Sequence, residues 1–229
     1  MNNMTQAQVV GGNSLPCPIL VTGAARSGVS MTAGVLRRCG AWVGVVDNSY
    51  ENIEIRDKTI TPYLKFLGCD PHGQNPLPVI QDVIDKPLAG LVRRVETAVK
   101  FQGYTFGPWM YKSNSILLTY PMWCREFPLS KWIIVRRDDK DIINSCLKTK
   151  YMKGHSDEAE WQGYLDAHKT RIVEIEECVK DCREVWPSRM VDGDFGEIKE
   201  VVEWLKLRWN EGRVREWIRP NLWRACNVS

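Results

Sequence analysis

Long apolar runs are missing from this chain. No window approaches the roughly 20 consecutive apolar residues that a membrane-spanning helix needs. Residues Met1 to Gln8 carry neither the basic stretch nor the apolar core of a secretory leader. These absences point to a soluble, cytoplasmic protein with no membrane span. Charge of one sign is scarce as well, since 31 Lys and Arg stand against 28 Asp and Glu for a net of +3. A dedicated nucleic-acid binder carries a broad basic field, so no nucleic-acid partner is expected and any bound anion must be held at a local site. The eight cysteines form no CxxC pair, and most lie in apolar runs where a reduced thiol behaves as a small hydrophobe. Neither a disulfide framework nor a metal site is therefore expected. Cys178 and Cys182 share one face of an expected helix, but no histidine or second cysteine pair stands near to complete a metal site.

What is present is an ordinary globular composition, 44% hydrophobic and 26% charged, with a high count of ten Trp that suggests aromatic surfaces around a core or a cleft. The length of 229 residues suits one α/β domain. Residues 1–16 are polar and hold Gly11, Gly12 and Pro16, so they read as a flexible N-terminal tail, with 17–229 as the domain. Pro18 to Thr22 is a short apolar run closed by Gly23, as a buried parallel strand should be, and Val29 to Cys39 follows as a helix. Glu51 to Leu67 fits a helix imperfectly, with a break permitted at Pro62. Residues 70–78 form a loop, and 88–101 a helix. Trp109 to Tyr111 reads as a strand, Ser115 to Phe127 as a helix interrupted by Pro121, Trp132 to Val135 as a buried strand and Asp139 to Lys150 as a helix. A long charged helix is predicted over 157–186, a short strand over 189–191 and an amphipathic helix over 196–207. Strands alternating with helices predict a single-domain α/β fold, a parallel sheet flanked by helices, with ligands at the carboxyl ends of the strands.

Two motifs fall at such strand ends. Gly23-Ala-Ala-Arg26-Ser27-Gly28-Val29-Ser30 has the G-x-x-x-x-G-x-S frame of a phosphate-binding loop, with Val29 where nucleotide triphosphatases need Lys. At a helix N-terminus the free N–H donors and the positive dipole end favour an anion; Ser27 and Ser30 add hydroxyl donors and Arg26 adds charge. The second motif, Arg137 to Ser145, follows the best strand. The guanidinium fork of Arg137 suits a phosphate, and the loop before the helix can bring it beside the Ser145 hydroxyl, with Asp141 to orient either group or cap the helix.

The two motifs together, at these spacings, resemble the sulfotransferases that use 3′-phosphoadenosine-5′-phosphosulfate (PAPS). The resemblance extends to Tyr111-Lys112-Ser113-Asn114, to Phe127-Pro128 leading through Trp132 to Val135, and to Val202 to Leu207, and it covers residues 17 to about 220. It implies a P-loop-like sulfotransferase fold and a donor whose 5′-phosphosulfate lies over Arg26, Ser27, Gly28, Val29 and Ser30 and whose 3′-phosphate meets Arg137 and Ser145. The product would be 3′-phosphoadenosine-5′-phosphate (PAP), and the acceptor a small molecule or glycan bearing a hydroxyl or amine. Lys112 matches a lysine that stabilises charge on the leaving phosphate. Many family members carry His two residues later, but Asn114 stands here and cannot act as a base. Others use a Glu some 25 to 30 residues after the loop, which makes Glu51 the first choice for the base and Glu54 the alternative. Asn114 is left to orient the acceptor. Val29 and Asp139 replace the Thr and Pro common in the family, which removes one hydroxyl but no backbone donor. The scheme requires no metal.

Two other readings fit part of the pattern. A P-loop kinase-like enzyme would share the fold, but Val29 and the lack of a strand ending in a magnesium-binding Asp argue against it. A catalytically inactive PAPS- or PAP-binding protein would share the site. Trp42, Tyr50, Tyr63, Tyr104 and Trp161 are expected as walls of the acceptor pocket. His72 reads as a solvated loop histidine, with a place over the cleft as the alternative, and Arg213, Arg215, Arg219 and Arg224 read as a solvated face, with one of them closing over the nucleotide as the alternative.

Overall fold

The computed structural model describes residues 15–218 and Trp223. In chain order the elements are β1 (Ile19–Thr22), α1 (Val29–Arg38), α2 (Ile53–Ile55), a π-helical turn (Arg56–Ile60), α3 (Thr61–Phe66), α4 (Ile80–Asp85), α5 (Leu91–Phe101), β2 (Met110–Lys112), α6 (Ile116–Glu126), β3 (Lys131–Val135), α7 (Asp139–Lys148), α8 (Glu158–Cys178), β4 (Cys182–Val185), α9 (Pro187–Val191), α10 (Gly196–Trp204) and α11 (Glu211–Trp217). The four strands form one parallel sheet in the order β2-β1-β3-β4. Helices cover both faces, as the α/β reading predicts.

Alternation along the strands divides the core. Leu20 of β1 and Trp132 and Ile134 of β3 point to one face, where residues of α3, α5 and α6 meet them, together with Leu15, upstream of the expected start of the fold. Ile19, Val21, Ile133 and Val135 point to the other, against α1, α10 and α11. Every one of these strand residues is at most 5% exposed, which is the period-2 signature of a sheet buried on both sides. A third cluster, with Ala24, Ile143, Cys146, Trp161 and Leu165, packs α7 and α8 beneath the loop that follows β1.

Several elements differ from the sequence-based expectation. The predicted helix over 157–186 stops at Cys178, and its last residues form the edge strand β4 instead. Among the described residues β4 pairs only with β3, and it exposes Arg183 and Glu184, so its charged pattern imitates a solvated helix. Cys178 and Cys182 thus lie on different elements. The strand expected at 189–191 is helical, part of α9. α6 runs through Pro121 without interruption. That proline forgoes one backbone bond, and the burial of Leu117, Leu118, Met122 and Trp123 around it holds the helix together. α4 was not foreseen, and α5 starts at Leu91 because Gly90, in the left-handed conformation, ends the preceding chain direction. The imperfect helix at 51–67 is real: Pro62 has no N–H to return to Lys58, and Thr61 reaches back five residues to the Arg56 carbonyl. Of the expected tail, residues 1–14 lie outside the described residues, as do Arg219, Arg224 and Cys226.

Candidate active site

β1, β2 and β3 end on one edge of the sheet, and the loops that leave them line a cleft of about 950 Å³. The loop after β1 turns at Gly23, where an added Cβ would sit 2.5 Å from the Val135 carbonyl oxygen and 2.7 Å from Ser27 Oγ. Only glycine fits between those atoms. Arg26 (φ 70°) and Gly28 (φ 100°) take left-handed conformations, which curl the loop so that α1 begins at its floor. Gly28, Val29 and Ser30 line the cleft where α1 begins, and a helix N-terminus there favours an anion. The Ser27 hydroxyl is buried and has no protein partner, so a hydrogen-bonding group is left aimed into the loop. Tyr164 Oη accepts from Ala25 N at 3.1 Å, and Asn114 Nδ2 donates to the Gly23 carbonyl at 2.6 Å. Asn114 therefore braces the loop after β1.

The two anion motifs meet. Arg26 Nε donates to Ser145 Oγ at 2.8 Å and its Nη1 to Tyr151 Oη at 2.9 Å, while Arg137 Nη1 donates to the Arg26 carbonyl at 3.0 Å. The Arg137 side chain is 3% exposed, with Nε 3.6 Å from Asp141. Its guanidinium carbon lies 4.1 Å from the ring of Trp223, which also packs on Gly28. Two guanidinium groups from opposite ends of the predicted pattern thus share one corner of the cleft. Ser145 thus accepts a hydrogen bond from Arg26 of the first motif. Tyr151, Tyr164 and Trp223 carry no motif, and sequence reasoning missed them.

At the other end stand Lys112, Ser113 and Glu51. Lys112 closes β2, is 3% exposed, and places Nζ 3.4 Å from Ser49 Oγ. Ser113 donates to the Glu51 carboxylate and stands 2.6 Å from Ser115 Oγ. Burial pushes the Glu51 carboxyl above its ordinary value; the Lys112 charge and the bond from Ser113 oppose it. Burial likewise lowers Lys112, with Glu51 and then Asp47 holding it up. Burial thus disfavours the charged form of each group, and each charge in turn supports the other.

Glu54 is placed elsewhere. It pairs with Lys58 at 2.7 Å and lines a separate depression with Arg93 and Arg94. His72 is exposed and does line the cleft. The aromatic walls are not there: Trp42 packs edge-on to Tyr104, Tyr50 to Trp217, and Tyr63 and Trp161 are buried in the core. The cleft is lined instead by polar residues that include Asp47, Asn48, Arg56, Asp57, Lys65 and His72. Among the described residues, no cluster of His, Cys, Asp and Glu has the makings of a metal site, and no helix is long and apolar enough to cross a membrane.

No family model matches this chain, and no curated protein matches it in sequence. The crystal structure of the sulfotransferase STF1 from Mycobacterium tuberculosis H37Rv is similar to it, with 12% identity and a TM-score of 0.50 over 93% of this chain and 76% of that one. At that identity the likeness is one of architecture, and it agrees with the strand order and the loops just described: the chain has a sulfotransferase-like α/β fold.

Proposed function

We propose that this chain is a PAPS-dependent sulfotransferase acting on a polar acceptor that offers a hydroxyl or amine. The observation that carries the proposal is the junction of the two anion motifs, with Arg26 on Ser145 and Arg137 on the Arg26 carbonyl, at one end of a cleft whose other end holds Glu51 and Lys112. A donor that carries anionic groups on the 3′ and 5′ oxygens of one ribose needs two anion sites only a sugar apart, which neighbouring guanidinium groups can supply. The curled loop, the unpartnered Ser27 hydroxyl and the two arginines fit such a donor. When bound, it would supply the activated sulfuryl group.

The chain's own residues do the rest. The backbone N–H groups of the loop and Arg26 hold the phosphosulfate end, and Arg137 binds the 3′-phosphate. Glu51 takes the proton of the acceptor hydroxyl, and its raised pKa suits a base working near neutral pH. Lys112 offsets negative charge that grows on the leaving phosphate oxygen, in a buried position where each charge acts more strongly than in water. Asn48, Arg56 and Asp57 add polar donors and acceptors to the cleft wall, which favours a hydroxylated acceptor such as a glycan over a flat phenol. The kinase-like reading has no lysine at Val29 to reach a terminal phosphate.

Calorimetric titration with PAP, beside ATP and AMP without metal, tests the proposal. PAP should bind more tightly than either. Arg26→Ala and Arg137→Ala should each weaken it by about 10- to 100-fold, the loss of a charged hydrogen bond of about 1.5 to 3 kcal/mol. Unchanged affinity in both variants, or preference for ATP with magnesium, would overturn it.

A further inference from the structure

We infer that Asp47 is the positioning residue for the base, folding residues 47–51 into a closed turn that sets Glu51 against Ser113 and Ser49 beside Lys112. That Glu51 is the base rests on the sulfotransferase reading; the turn itself does not.

Asp47 is the hub of the turn. Its Oδ1 accepts from Ser49 N at 2.8 Å, Ser49 Oγ at 2.7 Å and Glu51 N at 3.1 Å. Its backbone closes the same ring, with Asp47 N donating to the Glu51 carbonyl at 3.1 Å and Tyr50 N to the Asp47 carbonyl at 3.0 Å. Oδ2 accepts from Arg56 Nη1 at 2.5 Å. Burial alone would raise this carboxyl, but these bonds outweigh it and hold it below its ordinary value.

The turn needs such a hub because of Tyr50. At φ 64° this bulky residue occupies the left-handed region, a conformation that costs about 1 kcal/mol or more without support. Donors on either side of it, from Ser49 and Glu51, converge on one oxygen of Asp47. The Tyr50 ring is held from outside, edge-on to Trp217 at 5.2 Å, with its hydroxyl accepting from Arg38 at 3.0 Å. Reversing the chain at Tyr50 sends both neighbours toward β2: Ser49 Oγ meets Lys112 Nζ, and the Glu51 carboxylate meets Ser113. With the carboxylate of Asp47 removed, the three donors of the turn and Arg56 lose that acceptor, and the turn keeps only its two backbone bonds to hold Glu51 in place.

The geometry separates two variants. Asp47→Asn keeps an oxygen for the turn and loses the charge toward Arg56, whereas Asp47→Ala loses both. The first readout is the titration midpoint of the Glu51 side-chain carboxyl carbon, followed by carbon-13 NMR without nucleotide and assigned with Glu51→Gln. Lys112, Arg56 and Asp47 are the charged groups that act on Glu51. The midpoint should stay raised in Asp47→Asn and fall to the ordinary glutamate value, about 4.3, in Asp47→Ala as the carboxyl swings into water. The second readout is turnover of PAPS, measured as slow desulfation by water. Asp47→Ala should lower kcat by about 10- to 100-fold, the usual effect of misplacing a reacting group, with PAP affinity within about threefold of the parent, and Asp47→Asn should restore most of the rate. A raised midpoint and an unchanged kcat in Asp47→Ala would overturn the inference. Equal damage from both variants would do so as well, since it would make the charge toward Arg56, not the turn, the operative part. Failure of the parent protein to bind PAP would defeat the sulfotransferase reading, and the NMR titration would still decide the role of Asp47.

Discussion

His168 lies on α8 with its ring 4.0 Å from that of Tyr164 and its Nδ1 2.8 Å from the Tyr164 carbonyl oxygen. Burial lowers its pKa to about 4, whereas a solvated histidine titrates near about 6.5. Between those values the unfolded chain binds a proton that the folded chain refuses, so stability is full above pH 6.5 and falls as pH drops toward 4. The contribution should be about 2 kcal/mol between pH 7 and 4.5. Urea denaturation at the two pH values would measure it, and His168→Gln should flatten that dependence. A slope unchanged in the variant would show that another group is responsible. At this scale the sequence was informative where spacing carries chemistry. Arg26, Ser27, Gly28 and Arg137 stand where the motif reading put them, because a strand end and a helix start fix their places within a few residues. Tyr151 and Tyr164 were invisible, since a phenol that serves a loop more than 120 residues away leaves no local pattern.

At the scale of elements, α1 and α11 are joined through a glycine. A Cβ on Gly34 would fall inside the indole of Trp217, whose Nε1 donates to the Met31 carbonyl at 3.0 Å and whose ring carries Arg38 at 4.2 Å. In an open helix, Gly→Ala gains about 1 kcal/mol. Here Gly34→Ala should lose about 1 to 2 kcal/mol in thermal or chemical unfolding, because an overfilled contact costs more than the propensity returns; a stabilised variant would show that α11 moves aside freely. Period explains which elements were legible. β1 and β3 are buried on both faces and read as apolar runs, so they were placed almost to the residue. β4 has one neighbour and a solvated side, so Arg183 and Glu184 blend into the charged pattern of α8. The Asp47 turn escaped notice for a different reason: its hydrogen bonds run among five consecutive polar residues with no period at all.

Over the whole molecule, the parallel order β2-β1-β3-β4 gathers Lys112, the loop after β1 and Arg137 on one edge of the sheet. The α/β pattern anticipated that gathering, because strands joined by helical crossovers must all end on the same side. It could not anticipate the contact of Trp223 with Gly28 and Arg137, which joins positions almost 200 residues apart and depends on how the last helices wrap the sheet. That contact gives the protein an optical probe of its own. An indole seated against a guanidinium emits according to the electric field of that charge, and a phosphate arriving at Arg137 partly cancels the field. PAP should therefore shift or quench tryptophan emission in proportion to occupancy. Trp109, Trp123, Trp132 and Trp161 are buried in the core and supply a constant background. Trp223→Phe should abolish the change while calorimetry still records binding, and a signal that survives the substitution would place the responsive ring elsewhere. Where the contact holds, nucleotide occupancy becomes a colour that the unlabelled chain reports by itself.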